Sequence, residues 1–317
     1  MILASLAVAA TTSIPATAAS APLASILLPL ASSVGYVAAV LLVKRASAHG
    51  VGLWRTAFVS NLAMGLFFAP LWLLGGRSVE WATVGQAALC ATLFFAGQIF
   101  TFMALAGDVS LATPVLGLKI IFVAAASSVL VAETVRPVWW IAAVLGTLAV
   151  ALLQTPPRGA SSPAGGQHPR RTVLYAALAA LVFAVCDTLV QRFTPGWGPG
   201  HFLPLLFGLV AVFSFALIPA FSAPLRQLPS AAWAWLAPGS ALLALQAASM
   251  AWTLGTHGRA TAANILYSTR GLWSVLAIAV LGTWLGTAGE EKLAPAVLRR
   301  RLLGAGLMFT AVALVVL

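Results

Sequence analysis

The feature that most constrains this chain is a series of apolar runs, most of them about twenty residues long, which is the length that a helix needs to cross a bilayer. Hydrophobic residues make up 61% of the 317 residues. Charged residues make up only 7%, against roughly a quarter in soluble domains. The runs are too long for the alternating strands of a membrane barrel, so we predict an all-α integral membrane protein.

Ten transmembrane helices are predicted, five on each side of a polar linker. The linker, 155–172, is rich in Pro, Gly, Ser and Arg, and residues 1–20 form a flexible or signal-like leader. The predicted helices, numbered one to ten, lie near 24–43, 54–75, 81–106, 109–132, 137–154, 173–192, 202–222, 231–256, 260–286 and 302–317.

The two halves, 21–154 and 173–317, resemble each other at an offset of 147 to 148 residues. Because five spans is an odd number, the second half enters the membrane from the opposite side, which predicts two inverted five-helix repeats. The matches are Leu42-Val43-Lys44-Arg45 with Leu189-Val190-Gln191-Arg192, Gln98 with Gln246, Gly107 with Gly255, and Ala112-Thr113 with Ala260-Thr261.

The net charge of +11 comes mostly from basic residues that flank the apolar runs, so it predicts membrane anchoring and no nucleic-acid partner. Cytoplasmic loops carry the excess of Lys and Arg, and here the odd-numbered loops carry it. The charge count therefore places both termini, including Leu317, outside. The odd loops hold Lys44, Arg45, Arg158, Arg170, Arg171, Arg226, Lys292, Arg299, Arg300 and Arg301, and the even loops hold Arg77, Arg136, Arg192 and Arg259.

Short motifs mark the second and the fourth predicted helix. Trp54-Arg55 opens helix two, Ala112-Thr113-Pro114 leads into helix four, and Val131-Ala132-Glu133 closes it. With the repeat, these motifs resemble the EamA branch of the drug/metabolite transporter superfamily. The resemblance implies tandem inverted repeats, transport of small metabolites and cytoplasmic termini, which is opposite to the charge count. The chain departs from the family where Lys119-Ile120 replaces a usual proline of helix four, and where helix nine, at 268–274, is more polar. The family's substrates are therefore not transferred to this chain.

Lys119 and Arg270 are the strongest candidates for a substrate site, because both fall near the middle of predicted spans. Each lies about 15 Å from either interface, further than its side chain can reach. We predict that they form the polar floor of a cavity and bind a carboxylate or phosphate. The alternative is a structural ion pair, such as Lys119 with Asp187.

Further polar residues are predicted to line the same cavity, from helices three, four, eight and nine. Helix nine presents Asn264, Tyr267 and Ser274 at helical spacing, and Gln98 and Gln246 repeat between helices three and eight. Hydrogen bonds that only hold the helices together are the alternative for these side chains. Two carboxylates are candidates for proton coupling, with local charge pairing or capping as the alternative: Asp187 and Glu133.

No metal-ligand spacing, nucleotide-binding glycine loop or catalytic motif is present, so we predict no cofactor and no enzyme activity. The predicted function is secondary transport of a small organic metabolite by alternating access between the repeats, without ATP. A channel or lipid scramblase is the alternative. The expected partners are a small solute and membrane lipid, a homo-oligomer is left open, and the expected location is the bacterial cell (inner) membrane.

Overall fold

The computed structural model describes residues 22–77, 83–106, 109–132, 134–154, 169–281 and 295–317, and within them every regular element is helical. The 3₁₀ turns Ala69–Leu74 and Ser214–Ala220 prolong the second and the eighth helix. The α-helices are α1 Leu23–Ala48, α2 Leu53–Phe68, α3 Val84–Leu105, α4 Val109–Leu116, α5 Lys119–Leu130, α6 Pro137–Gln154, α7 Pro169–Trp197, α8 Pro199–Phe213, α9 Ser230–His257, α10 Ala260–Tyr267, α11 Arg270–Leu281 and α12 Pro295–Val316.

Seven helical segments of the described chain are long and apolar enough to cross a membrane. The apolar helix Pro137–Leu153 is shorter. Large apolar side chains on many of these helices are exposed, with Leu66, Val129 and Phe309 each more than two-thirds accessible. A surface of this kind needs lipid around it, so the chain is a multi-pass helical membrane protein, as the sequence predicts. The leader 1–20 and the linker residues 155–168 lie outside the described residues.

The predicted fourth and ninth helices are each divided in two, which the sequence analysis did not anticipate. In both, a helix of eight residues is followed by a two-residue turn and a second helix, and the turns lie at 117–118 and 268–269. The bonds at these turns are of the i→i+3 kind, from Leu118 N to Val115 O at 3.0 Å and from Thr269 N to Leu266 O at 3.2 Å. Tight turns inside a helix often mark functional positions.

Different residues produce the two turns. In the predicted fourth span, the turn begins at Gly117, a residue of low helix propensity whose N–H bonds to both Thr113 O and Pro114 O. In the ninth span, the hydroxyls of Ser268 and Thr269 donate back to carbonyls three residues earlier, at 2.6 and 2.7 Å. Side-chain bonds of this type compete with the helical ladder, so they favour a local tightening.

The two turns lie at different offsets from the predicted repeat. They align Lys119 with Arg270 at an offset of 151 residues, whereas the Ala112-Thr113 and Ala260-Thr261 match has an offset of 148. The structure gives the two broken spans the same plan, in which the first residue of each second helix is basic.

Helices of the first half of the chain, α1 to α6, pack against helices of the second half, α7 to α12. The most extensive helix contacts are those of α1 with α9, α6 with α12, and α3 with α7. Helix α2 also packs on α8 and α9, and α3 on α8. The largest buried cluster contains Phe68, Leu189, Phe202, Leu206 and Leu254, so side chains from both halves fill one core. Neither half buries its helices independently of the other.

Candidate functional site

Lys119 begins α5 and reaches across to α7, where its ammonium lies 2.8 Å from Asp187 Oδ2. The same carboxylate oxygen accepts a hydrogen bond from Asn264 Nδ2 of α10 at 2.9 Å. The Lys119 nitrogen also lies 5.6 Å from the centre of the Phe183 ring. Three segments distant in sequence thus meet at one carboxylate, and Asp187 is the one acidic residue among those that the structure describes.

Arg270 begins α11 and lies between two tyrosine rings. Its guanidinium carbon is 4.7 Å from the centre of Tyr267 and 4.9 Å from that of Tyr36 on α1. Cation–π contacts of this type stabilise a desolvated cation by about 2 kcal/mol, far less than a matched carboxylate does in a site of low polarity. Within the described chain, no carboxylate lies within 4 Å of Arg270.

Gln246 of α9 connects the surroundings of Arg270 to α1. Its Oε1 accepts hydrogen bonds from Tyr267 Oη at 3.1 Å and from Ser32 Oγ at 3.2 Å. Ser32 Oγ also donates to the Gln246 backbone carbonyl at 2.8 Å. The two charged groups share α10, which carries both Asn264 and Tyr267. We call their residues together the polar cluster, and its members are Ser32, Tyr36, Lys119, Asp187, Gln246, Asn264, Tyr267 and Arg270.

Five of the seven predicted substrate-site residues lie in the polar cluster, and two do not. Gln98 forms a reciprocal amide pair with Asn61 of α2, at 3.0 and 2.9 Å. The Ser274 hydroxyl returns to the Gly271 carbonyl of its own helix at 2.8 Å. The break at 268–269 rotates α11 relative to α10, so the predicted stripe does not stay continuous through the span. Of the two proton-coupling candidates, Asp187 lies in the cluster and Glu133 lies outside the described residues.

The two cations predicted to share a site have different neighbours. Lys119 pairs with Asp187, the ion pair that the sequence offered as an alternative, whereas Arg270 has aromatic neighbours in place of an ion-pair partner among the described residues. The amide pair of Gln98 and Asn61 has the geometry of a bond that joins α2 to α3.

Three residues of the site region were not singled out from sequence: Ser32, Tyr36 and Asn61. Asn61 is fully buried in an apolar helix, and an amide in such a run was itself a signal of an inter-helix bond. Tyr36 lies 147 residues before Phe183, the ring near Lys119. The predicted repeat therefore relates the two rings, and it would have indicated Tyr36 once the contact of Lys119 with Phe183 was known. Ser32 gave no such signal, because serines are common in apolar helices.

Partial exposure of the charged groups indicates that the polar cluster borders a space. The side chains of Lys119 and Asp187 are 18% and 13% accessible. Arg270 is partly accessible although Thr269 and Gly271, its neighbours in the chain, are buried. The charged side chains of Lys119 and Asp187 are therefore not fully enclosed by protein.

Two grooves on the described part of the molecule lie away from the polar cluster, and neither contains a predicted site residue. The larger has a volume of about 370 Å³ and is almost entirely apolar. It lies between α2 with its 3₁₀ extension and α8, and it is lined by Gly65, Ala69, Trp72, Pro204, Leu205, Gly208 and Leu209. The smaller lies beside Trp139 and Arg259.

The chemistry available in the polar cluster is that of ionic and hydrogen-bonded recognition. No group of three or more metal-ligating side chains occurs among the described residues. Cys90 and Cys186 are buried free thiols, and Cys186 Sγ donates to the Cys90 carbonyl at 3.4 Å, which joins α3 to α7. They pack as small apolar side chains.

Comparisons with known proteins give a fold and no family. No protein-family model matches the chain, and no curated protein matches it. Among solved structures, 29 chains match. One, described only as "Crystal structure of protein", has a TM-score of 0.69 at 17% sequence identity, over 92% of this chain and 96% of that chain. At that identity the likeness concerns the fold alone, which this chain shares over nearly its whole length.

Proposed function

We propose that the chain is a secondary carrier for a small organic solute, built from two inverted five-helix repeats and of the drug/metabolite transporter type. The solute would bind at the polar cluster and cross by alternating access, without ATP, in a bacterial cell (inner) membrane. Asp187, as a carboxylate within the membrane, is our candidate for coupling transport to protons. The observation that carries the proposal is the placement of Lys119 and Arg270 at the same point of two broken spans.

Broken spans with charges at mid-depth are a recurrent way of building a solute site. In secondary transporters the discontinuous helices lie near the bilayer midplane, at the interface of two repeats. Ionisable groups in a membrane span are costly, so they are usually functional or paired. Lys119 and Arg270 both fit this arrangement, and they are partly accessible rather than enclosed.

The packing pattern supports the proposed repeats. The five predicted spans of the first half are α1, α2, α3, α4 with α5, and α6, and those of the second half are α7, α8, α9, α10 with α11, and α12. If the two sets are exchanged in order, the pair of α1 with α9 becomes the pair of α7 with α3. Both pairs are among the most extensive helix contacts in the fold. The same exchange turns the contact of α2 with α9 into that of α8 with α3. The pairs of α2 with α8 and of α6 with α12 map onto themselves. A two-fold arrangement of repeats produces this correspondence.

The sharpest test is solute counterflow in proteoliposomes that contain the purified chain. Vesicles loaded with unlabelled solute are diluted into a trace of the labelled solute, over a panel of amino acids, organic acids and phosphorylated metabolites. A carrier gives saturable uptake that is stimulated by solute on the opposite side. Uptake that neither saturates nor responds to loading would favour a channel, and movement of labelled lipid between leaflets would favour a scramblase.

A further inference from the structure

The charges of the polar cluster do not balance. Lys119 and Asp187 neutralise each other at 2.8 Å, so the described part of the cluster retains the single positive charge of Arg270. Asp187 lies close enough to attract Arg270 as well, but its carboxylate oxygen already accepts from Lys119 and from Asn264. A cation at this depth, with no counter-ion among the described residues, favours an anionic ligand.

The hydrogen-bonding groups around Arg270 are mostly donors. A guanidinium carries five N–H groups and no acceptor. Gln246 Oε1 accepts from Tyr267 and Ser32. The Gln246 Nε2 group makes no hydrogen bond to the described residues, so it can donate to a ligand. A ligand that fits these groups supplies acceptor oxygens, and a carboxylate matches the planar fork of a guanidinium with two parallel bonds.

We infer that the solute is a small monocarboxylate whose carboxylate is held by Arg270, next to the rings of Tyr36 and Tyr267. This inference rests on the proposed carrier function and names the substrate class of the same site. A phosphate monoester or dicarboxylate would bring a charge of about −1.5 to −2, more than one cation neutralises. An ammonium group would have to compete with Lys119 for the carboxylate of Asp187, whose Oδ2 already accepts from Lys119 and Asn264.

Two series of small ligands that are similar in size and differ in charge test the inference directly by binding to the purified protein in detergent. Lactate and 3-phenyllactate are the monoanions, and alanine and phenylalanine are the zwitterions with the same skeletons. Malate and phenylsuccinate are dianions, and 1-amino-2-propanol and 3-phenylpropylamine are cations. Each is scored by the rise in unfolding temperature with concentration, because a ligand that binds only the folded state stabilises it by mass action.

We expect lactate or 3-phenyllactate to stabilise the protein at concentrations at least about tenfold lower than any other probe of the same series. Arg270→Gln should abolish the response, and Arg270→Lys, which keeps the charge and loses the fork, should weaken it. Arg136→Gln is the matched control, since Arg136 is an exposed arginine outside the long apolar helices, and it should respond as the wild type does.

A preference for a zwitterion, dianion or cation would overturn the inference, as would the absence of any response to both monoanions. An equal response of Arg270→Gln and the wild type would do the same. Counterflow tests the carrier proposal separately. Saturable counterflow of a solute of another class would contradict the monocarboxylate inference and leave the carrier proposal standing. Binding of 3-phenyllactate without saturable counterflow would contradict the carrier proposal and leave the monocarboxylate inference standing.

Discussion

The fourth and ninth spans have the same plan and carry charges with different surroundings. Each consists of a helix of eight residues, a two-residue turn and a second helix that begins with a cation. Each cation also lies near an aromatic ring of the other half, Lys119 near Phe183 and Arg270 near Tyr36, and these rings are 147 residues apart. At the same offset, however, Asp187 corresponds to Val40.

This one difference explains why the two cations have different roles in our account. A carboxylate next to Lys119 converts it into half of an ion pair that joins α5 to α7. With valine at the corresponding position of α1, Arg270 has two tyrosine neighbours and no carboxylate within 4 Å among the described residues. In this account, two broken spans of the same plan carry a structural charge in one half of the chain and the proposed binding charge in the other.

The largest expected effect concerns the direction in which the two spans run. Inverted repeats place the loop after α2 and the loop after α8 on opposite sides of the membrane. In sealed vesicles we expect an impermeant maleimide to label Arg77→Cys from one side only and Gln227→Cys from the other. Both positions are exposed, and Cys90 and Cys186 are buried and should not react.

The charge count makes this test directional. It places Gln227 in the cytoplasm, and it places Arg77 and Leu317 outside. A reporter fused after Leu317 that fluoresces only in the cytoplasm should stay dark. Labelling of both cysteines from the same side would end the comparison of inverted spans, and a bright fusion would favour the cytoplasmic termini that the family resemblance implies.

The second effect in size is the loss of the carboxylate partner. Asp187→Asn leaves Lys119 charged and unpaired in a mostly buried position, and breaking such a pair costs about 3 kcal/mol of unfolding free energy. Denaturant unfolding in mixed micelles measures the loss. Adding Lys119→Met should restore most of it, because the double variant holds no unpaired charge and the amide introduced at position 187 can still accept from Asn264.

No recovery in the Lys119→Met and Asp187→Asn double variant would show that the two groups are independent. The structural role assigned to Lys119 would then be wrong.

A smaller loss of unfolding free energy is expected when the amide pair that joins α2 to α3 is broken. This loss measures what an uncharged hydrogen-bonded pair contributes to the stability of the fold. Asn61→Leu removes one partner and leaves the Gln98 amide without its reciprocal bonds. We expect a loss of about 1 kcal/mol in the same unfolding assay. Gln98→Leu in addition should recover part of it, whereas additive losses would show that the pair contributes no coupling.

The smallest change in stability is expected at Arg270. Arg270→Gln gives up two cation–π contacts and removes a charge that the described chain does not neutralise, so the two effects oppose each other. The change in unfolding free energy should stay below about 1 kcal/mol. A loss as large as that of Asp187→Asn would mean that Arg270 is structural too.

Sequence reasoning predicted the helical membrane fold because apolar runs of bilayer length leave few other structures open. It also singled out Lys119, Asp187 and Arg270, since charges are rare and costly in such runs. The ten-span count and the repeat stay predictions, which the packing supports and the seven long apolar segments do not settle.

What the sequence could not predict depends on contacts between distant segments. Which cation takes the carboxylate of Asp187 is decided by how α5, α7 and α10 pack, and no local pattern records that. The turn at 268–269 comes from hydroxyls that bond back to the helix, which serine and threonine do only in some helices. The partner of Gln98 lies on another helix, and Ser274 bonds back to its own helix, so helical spacing alone did not predict either contact.

One measurement tests the contrast between the two spans most directly: the dissociation constant of 3-phenyllactate for two variants beside the wild type. The double variant Lys119→Met and Asp187→Asn removes the ion pair of the polar cluster and keeps Arg270, so it should lose less affinity than Arg270→Gln does. Arg270→Gln should lose about tenfold or more, the equivalent of at least one charge-assisted hydrogen bond. Loss of binding in the double variant with retention in Arg270→Gln would contradict the account.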